Sequence, residues 1–148
     1  GIRAMDSMRL EKSYRLIPRE MSIEYSALES GLDRFVKLDK DCDFVGKQGL
    51  LDWQQRGFEN CFATLEVHGV IDADARGSEG LYKDGQLVGR ATSGGFGFRV
   101  DKSLALGLVK IAYGAIGTQL EIEILGERYR ATVIEESPFD GDNAALRS

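Results

Sequence analysis

The chain is poor in the residues from which most catalytic and metal sites are assembled. In 148 residues it has one histidine, His68, and two cysteines, Cys42 and Cys61, with no C-x-x-C spacing. That set cannot supply the four nitrogen and sulfur ligands of a structural zinc site, so no metal is expected. Two reduced thiols are expected in place of a disulfide or a cysteine nucleophile. A Ser-His-Asp triad would have to be built on His68, which alternates with Val67 and so reads as a surface or interface histidine. No residue of the chain is assigned a catalytic role. No apolar run approaches the roughly 20 residues a membrane helix needs, and no secretory leader is visible at the amino terminus. The formal net charge of −5 opposes any general affinity for nucleic acid or anionic membranes, both of which reward a basic face. A soluble protein with neither partner is expected, in the cytoplasm or, in a eukaryote, the mitochondrial matrix.

With 43% hydrophobic residues, the chain has enough apolar material to build a core without disulfide staples. Gly1–Lys12 places Ile2, Met5 and Met8 three residues apart on one helical face. No methionine and no capping residue precede that helix, so a piece of a longer protein is expected. Tyr14–Tyr25 reads as irregular, Ser26–Phe35 as a short helix weakened by Gly31, and Phe44–Gly57 as a clearer helix stopped by its glycine. From residue 58 the period falls to two. Cys61, Ala63, Leu65 and Val67 alternate against Phe62, Thr64, Glu66 and His68, and Asp84-Gly85 separates two short apolar runs as a hairpin turn does. Further strands are expected over 103–112, 119–125 and 127–135. The fold class is therefore α+β: a short helix-containing amino-terminal segment, residues 1–57, followed over 58–148 by a small antiparallel β-barrel of five or six strands.

The stretch A91-T-S-G-G-F-G-F98 is dense in glycine beside a Thr-Ser pair. It lacks the Lys-Ser or Lys-Thr of a phosphate-binding loop, and no helical period follows it. The expectation is a bend or bulge, a corner turned within the β module. Arg9, Glu11 and Lys12 read as a solvated charged face, with Glu11 and Arg15 spaced to pair. Asp72, Asp74 and Arg76 lack the glycine and distal glutamate of a calcium loop and read as a polar turn.

Several stretches resemble the glycine cleavage system T protein family, the tetrahydrofolate-dependent aminomethyltransferases, in its carboxyl-terminal part. A4-M-D-S-M-R-L-E11 is similar to the family's A-R-D-S-L-R-L-E, S26-A-L-E-S-G-L32 to T-P-x-E-A-G-L, and D43-F-V-G-K-Q-G-L50 to D-F-I-G-[KR]-x-A-L. G89-R-A-T-S-G94 resembles the barrel motif G-x-V-T-S-G, and S137-P-F139 the terminal P-F. The motifs stand in the family's order. R9-L-E-K12, D74-A-R-G-S-E79 and the run after Ser93 look more like the folate domains fused to dimethylglycine and sarcosine dehydrogenases.

The resemblance implies a domain arrangement around a folate cleft, tetrahydrofolate as cofactor, and FAD only in an upstream domain. A small amine or aminomethyl donor would be handled by the upstream half, and a flavin domain or a homo-oligomer would be the protein partner. It places the family's catalytic aspartate and pterin-binding glutamate upstream of this chain. Met5 stands where the family has a folate-contacting arginine, and Cys61 or Phe62 where it has a second. The cofactor-binding residues implied are Arg76, in the loop after the first strand, and Arg147, which could meet a glutamyl carboxylate, with Arg9 and Tyr14 at the cleft edge. Two functions remain open: a fragment of a folate-dependent transferase that is inactive alone, or a structural barrel that docks onto another domain without ligand.

Overall fold

The computed structural model describes residues 1–70 and 72–148, with only the backbone of residue 146. Helix α1 (Ile2–Glu11) leads through an irregular segment and a single 3-10 turn (Asp33–Phe35) to helix α2 (Lys47–Arg56). Six strands follow: β1 (Asn60–Val67), β2 (Gly80–Lys83), β3 (Gln86–Gly97), β4 (Lys102–Lys110), β5 (Gln119–Ile124) and β6 (Glu127–Ile134), then a one-turn helix α3 (Ala144–Arg147). The strands close into a barrel in the order β1-β4-β3-β2-β5-β6, with every neighbouring pair antiparallel.

The two-residue alternation explains the closure, because one face of each strand is apolar and can turn inward. Ala63, Leu65 and Val67 of β1 meet Leu81, Val88, Ala91, Ala105, Val109, Ile122, Ile124, Ala131 and Val133 in the barrel interior. Asp84 and Gly85, both at positive φ, make the β2–β3 turn. Outside the barrel a second, smaller core forms where α1 lies across β3 and β4: Leu10 packs with Leu104 and Leu106, flanked by Phe62, Val100 and Ile134.

The structure corrects or refines four expectations. Ser26–Phe35 is not an α-helix. Ser26 and Glu29 make reciprocal bonds, Ser26 N–H to Glu29 Oε2 at 3.1 Å and Glu29 N–H to Ser26 Oγ at 3.1 Å. Glu29 Oε1 then accepts from Asn60 N–H at 3.2 Å. The capping pattern is thus spent on a turn that ties to the start of β1, and Gly31 at φ +66° diverts the chain. Secondly, Ile2, Met5 and Met8 do share one face of α1, and that face is outward, exposed by 82%, 65% and 55%, because α1 packs through its last turn, where Leu10 and Glu11 are buried.

Thirdly, the charges at the end of α1 are not a solvated face. Glu11, 2% exposed, accepts the Arg99 N–H at 2.5 Å across the β3–β4 turn, so it is not paired with Arg15. Arg15 instead joins Glu136, donates to Ser30 O at 2.9 Å and stacks 3.8 Å from the Phe62 ring. Lys12 Nζ donates to Asp140 O at 2.5 Å and Asn143 Oδ1 at 2.9 Å, and Ser137 Oγ donates to Lys12 O at 2.8 Å. The helix end is where the irregular segment, the barrel and the carboxyl-terminal tail converge, so its polar groups are enclosed and must be bonded.

Lastly, the bulge expected in residues 91–98 is present, but Gly94, Gly95 and Gly97 themselves turn no corner. They remain in β3, paired with Ala105, Leu104 and Lys102 of β4, and the register shift lies just before them, between Ala91 and Ser93. What they permit is close approach. A Cβ on Gly94 would stand 2.6 Å from Ala75 O, and one on Gly97 would stand 3.0 Å from Glu11 Cγ.

Candidate functional site

Beside those glycines lies a groove of about 620 Å³, walled by α1 on one side and by β3, the β3–β4 turn and the 74–76 loop on the other. Gly94 and Gly95 line it between Ser7 and Met8 of α1, Phe96 and Phe98, and Asp74 and Arg76. Phe96 and Phe98 meet edge to face with centroids 5.1 Å apart, and Ser7 Oγ donates to Phe96 O at 2.7 Å, which fastens the helix to the strand.

The groove is cationic although the chain as a whole is acidic. Arg3, Arg19, Arg76 and Arg99 line it, opposed by Asp6, Glu11 and Asp74. Two of those carboxylates are already committed: Asp6 lies 2.8 Å from Arg9 Nη2, and Glu11 holds the backbone of the β3–β4 turn. Among the described residues Arg3, Arg19 and Arg76 form no ion pair, and Arg99 lies over the Phe139 ring at 5.2 Å. Four arginines against three carboxylates leave the lining with a formal excess of one positive charge.

Beneath it lies a buried carboxylate network that positions the 14–25 segment. Glu20, fully buried, accepts from Leu16 N–H at 2.9 Å, Thr92 Oγ1 at 2.6 Å and Ser93 Oγ at 2.5 Å. Arg19, the preceding residue, then reaches Ser93 Oγ at 3.5 Å. Thr92 and Ser93 therefore tie the segment to β3, while Gly94 admits the loop that carries Arg76. Arg19 and Arg76 also line a second recess of about 370 Å³ on their far side, with Pro18, Glu24 and Arg90, so both stand on the wall between the two. There the hydrogen bond to Glu24 holds the Arg90 guanidinium above its ordinary pKa.

Of the residues singled out in the sequence, Arg76 lines the groove. Arg9 does not; its Nε donates to Asp6 Oδ1 at 2.9 Å and its Nη1 to Tyr14 O at 2.7 Å, with Glu20 Oε2 at 3.4 Å. Its Nη2, though near Asp6, is out of line for a hydrogen bond and is left buried without one. Tyr14 is brought to Arg9 through its backbone, with its ring half exposed, and Arg147 lies exposed on α3. The sequence reasoning passed over Arg19, Glu20, Phe96 and Phe98. The one available signal was the Thr92-Ser93 pair, whose hydroxyls need an acceptor. Among the described residues no group of three or more His, Cys, Asp and Glu is placed to hold a metal, and no helix is long and apolar enough to cross a membrane. His68 shares a hydrogen bond with Thr132 Oγ1 at 2.8 Å, on the barrel surface away from the groove. The groove thus sets arginine side chains beside the apolar strip of Met8, Phe96 and Phe98.

Comparison with known proteins assigns this arrangement to a lineage. The family model described as the glycine cleavage T-protein C-terminal barrel domain matches residues 61–140. The chain belongs to the glycine cleavage T-protein family. The family's GCVT N-terminal domain model matches residues 1–40, so the groove joins elements from both matched stretches. Mitochondrial dimethylglycine dehydrogenase from Mus musculus is 39% identical over 136 residues, 92% of this chain and 16% of that protein. An aminomethyltransferase from Desulfitobacterium hafniense is 35% identical over 134 residues, 90% of this chain and 36% of that protein. The crystal structure of the glycine cleavage system aminomethyltransferase T from Bartonella henselae superposes with a TM-score of 0.86 at 26% identity, covering 95% of this chain and 39% of that one. The chain thus spans well under half the length of each of these relatives.

Proposed function

We propose that the chain is the carboxyl-terminal part of a tetrahydrofolate-dependent aminomethyltransferase, of the kind that follows a flavin-bearing, N-methyl-amine-oxidising domain and passes a one-carbon unit to the folate. The observation that carries the reading is the cationic, partly aromatic groove at the junction of α1 and the barrel, since folate is an aromatic body with a dicarboxylate end. The chain contributes a wall of the folate cleft, Arg76 contacts the ligand, and residues 58–148 act as a buttress for residues 1–57. FAD and the amine belong to the upstream portion, and the compartment is the cytoplasm, or the mitochondrial matrix in a eukaryote.

The chemistry needs a group to move protons beside the one-carbon donor. In the groove Asp6 and Glu11 are engaged elsewhere and Asp74 lies among the arginines, while the family's catalytic aspartate belongs to the upstream half, so this wall is assigned to binding and orientation. The purified chain is therefore expected to form no methylenetetrahydrofolate. Titration calorimetry with anaerobic tetrahydrofolate, on the chain alone and on the chain co-expressed with an upstream half, tests the binding role. Saturable binding in either form that weakens in Arg76→Ala supports it; binding in neither removes it.

A specific feature favours a second reading, a docking module. Residues 33–57 contain no buried residue, and Phe35 and Val45 in that stretch are 69% and 104% exposed. Under this reading Asp33–Gly57 packs on a neighbouring domain and the barrel binds nothing. Folate affinity indifferent to groove substitutions, with assembly lost on changing Phe35 and Val45 to polar residues, would decide for it.

A further inference from the structure

We propose that Arg19 and Arg76 form a carboxylate clamp on the wall of the groove, with Glu20 as the residue that positions Arg19. The clamp rests on the folate reading for the identity of its ligand, an aryl amide bearing a dicarboxylate end, but its geometry stands on this chain alone.

Arg19 and Arg76 come from segments far apart in sequence, yet consecutive residues of β3 bring them to one place. Ser93 Oγ is 3.5 Å from Arg19 Nη1, and Gly94 lies directly beneath Ala75, next to Arg76. Both arginines line both recesses, and among the described residues neither has a carboxylate partner. Two unpaired guanidinium groups lining the same recess suit a carboxylate-bearing anion, which can use the planar donor forks of both. Phe96, Phe98 and Met8 supply the apolar strip along which a flat ring attached to the anion would lie.

Glu20 gives the clamp its rigidity. Its side chain is fully buried and accepts from the backbone of Leu16 and from both β3 hydroxyls, so the residue next to it cannot drift from the groove. Arg19 itself is exposed and long, and without that anchor it would sample solvent. Met5, which the resemblance aligns with a folate-contacting arginine, offers no charge. Arg19 and Arg76 supply it from another direction.

The test follows the amide shifts of Gly94 and Gly95 by nuclear magnetic resonance as the isotope-labelled 148-residue chain is titrated with N-(4-aminobenzoyl)-L-glutamate, its uncharged dimethyl ester and 5-formyltetrahydrofolate. Arg19→Ala, Arg76→Ala, Ser93→Ala and a distant control, Arg128→Ala, are titrated alongside, with retained barrel spectra showing that each variant folds. The diacid should shift Gly94 and Gly95, and Arg19→Ala and Arg76→Ala should each weaken it by about ten- to a hundredfold, as loss of a charged hydrogen bond does, while Arg128→Ala changes nothing. Ser93→Ala should weaken binding in the parent chain but not in an Arg19→Ala background, a non-additivity that a purely structural role would not produce.

The clamp is overturned if the diacid fails to bind, if the ester binds as tightly, or if either arginine variant binds like the parent. Tight 5-formyltetrahydrofolate binding that ignores both arginines removes the clamp and leaves the folate reading standing. Arginine-dependent diacid binding with no affinity for 5-formyltetrahydrofolate keeps the clamp and removes folate as its ligand.

Discussion

Burial at Cys61 pushes its thiol above the ordinary value, because desolvation disfavours the thiolate. Gly114 lies so close to the Cys61 sulfur that a Cβ there would collide with it, whereas Cys42 is exposed. The thiolate is the reactive form, and a raised pKa leaves less of it at any pH below that pKa. Alkylation at pH 8 should therefore consume Cys42 first and reach Cys61 slowly until denaturant is added; equal rates in the mass spectrum would refute this. The lack of a C-x-x-C spacing was readable directly. What was not readable was any partner across space. Glu20 is 72 residues from Thr92, and nothing in the local pattern of either announces the bond between them. The same blindness hid Arg19, whose place is set by its neighbour's contacts rather than by a motif of its own.

Strands were legible where helices were only partly so. A strand half buried in a barrel alternates, as β5 does throughout and β6 over its second half, whereas β1 also buries Thr64 between Ala63 and Leu65; the bounds of all three fall within a residue or two of the expected ones. A helix resting by one end on a sheet need not keep its apolar stripe inward. In α1 the Ile2, Met5 and Met8 spacing is regular and yet turned out, while a single leucine at the last turn makes the contact. Leu10→Ala should cost about 2–5 kcal/mol, the usual range for emptying a fully packed leucine site. Met5→Ala should stay within about 0.5 kcal/mol, as exposed substitutions do. Urea unfolding of both variants checks the contrast, and a Met5→Ala loss equal to that of Leu10→Ala would put the stripe back into the core.

The molecule divides into a closed barrel and an open arm. Barrel amides are paired on both sides and enclosed by the core, so they should exchange with deuterium only on global unfolding, whereas α2 has no buried residue and should exchange through local opening. Protection in α2 equal to that in β4 would contradict this picture. The number of strands was within reach of the sequence, because short apolar or alternating runs are separated by turn residues; β4 itself is a continuous buried run, since α1 covers its outer face. The closed barrel was expected as well; which strands meet was not, since the β1–β4, β2–β5 and β1–β6 seams join strands that are not neighbours in the chain.

The knot of bonds at the end of α1 has a consequence for the order of events during synthesis. The helix is made first, but Glu11 waits for Arg99 and Lys12 for Asp140 and Asn143, 88 to 131 residues later. On a ribosome, the barrel and the tail after it must emerge before α1 can settle on them. Until then Leu10 lacks its contacts with Leu104 and Leu106, and a nascent-chain binder has a hydrophobic handle at the end of α1.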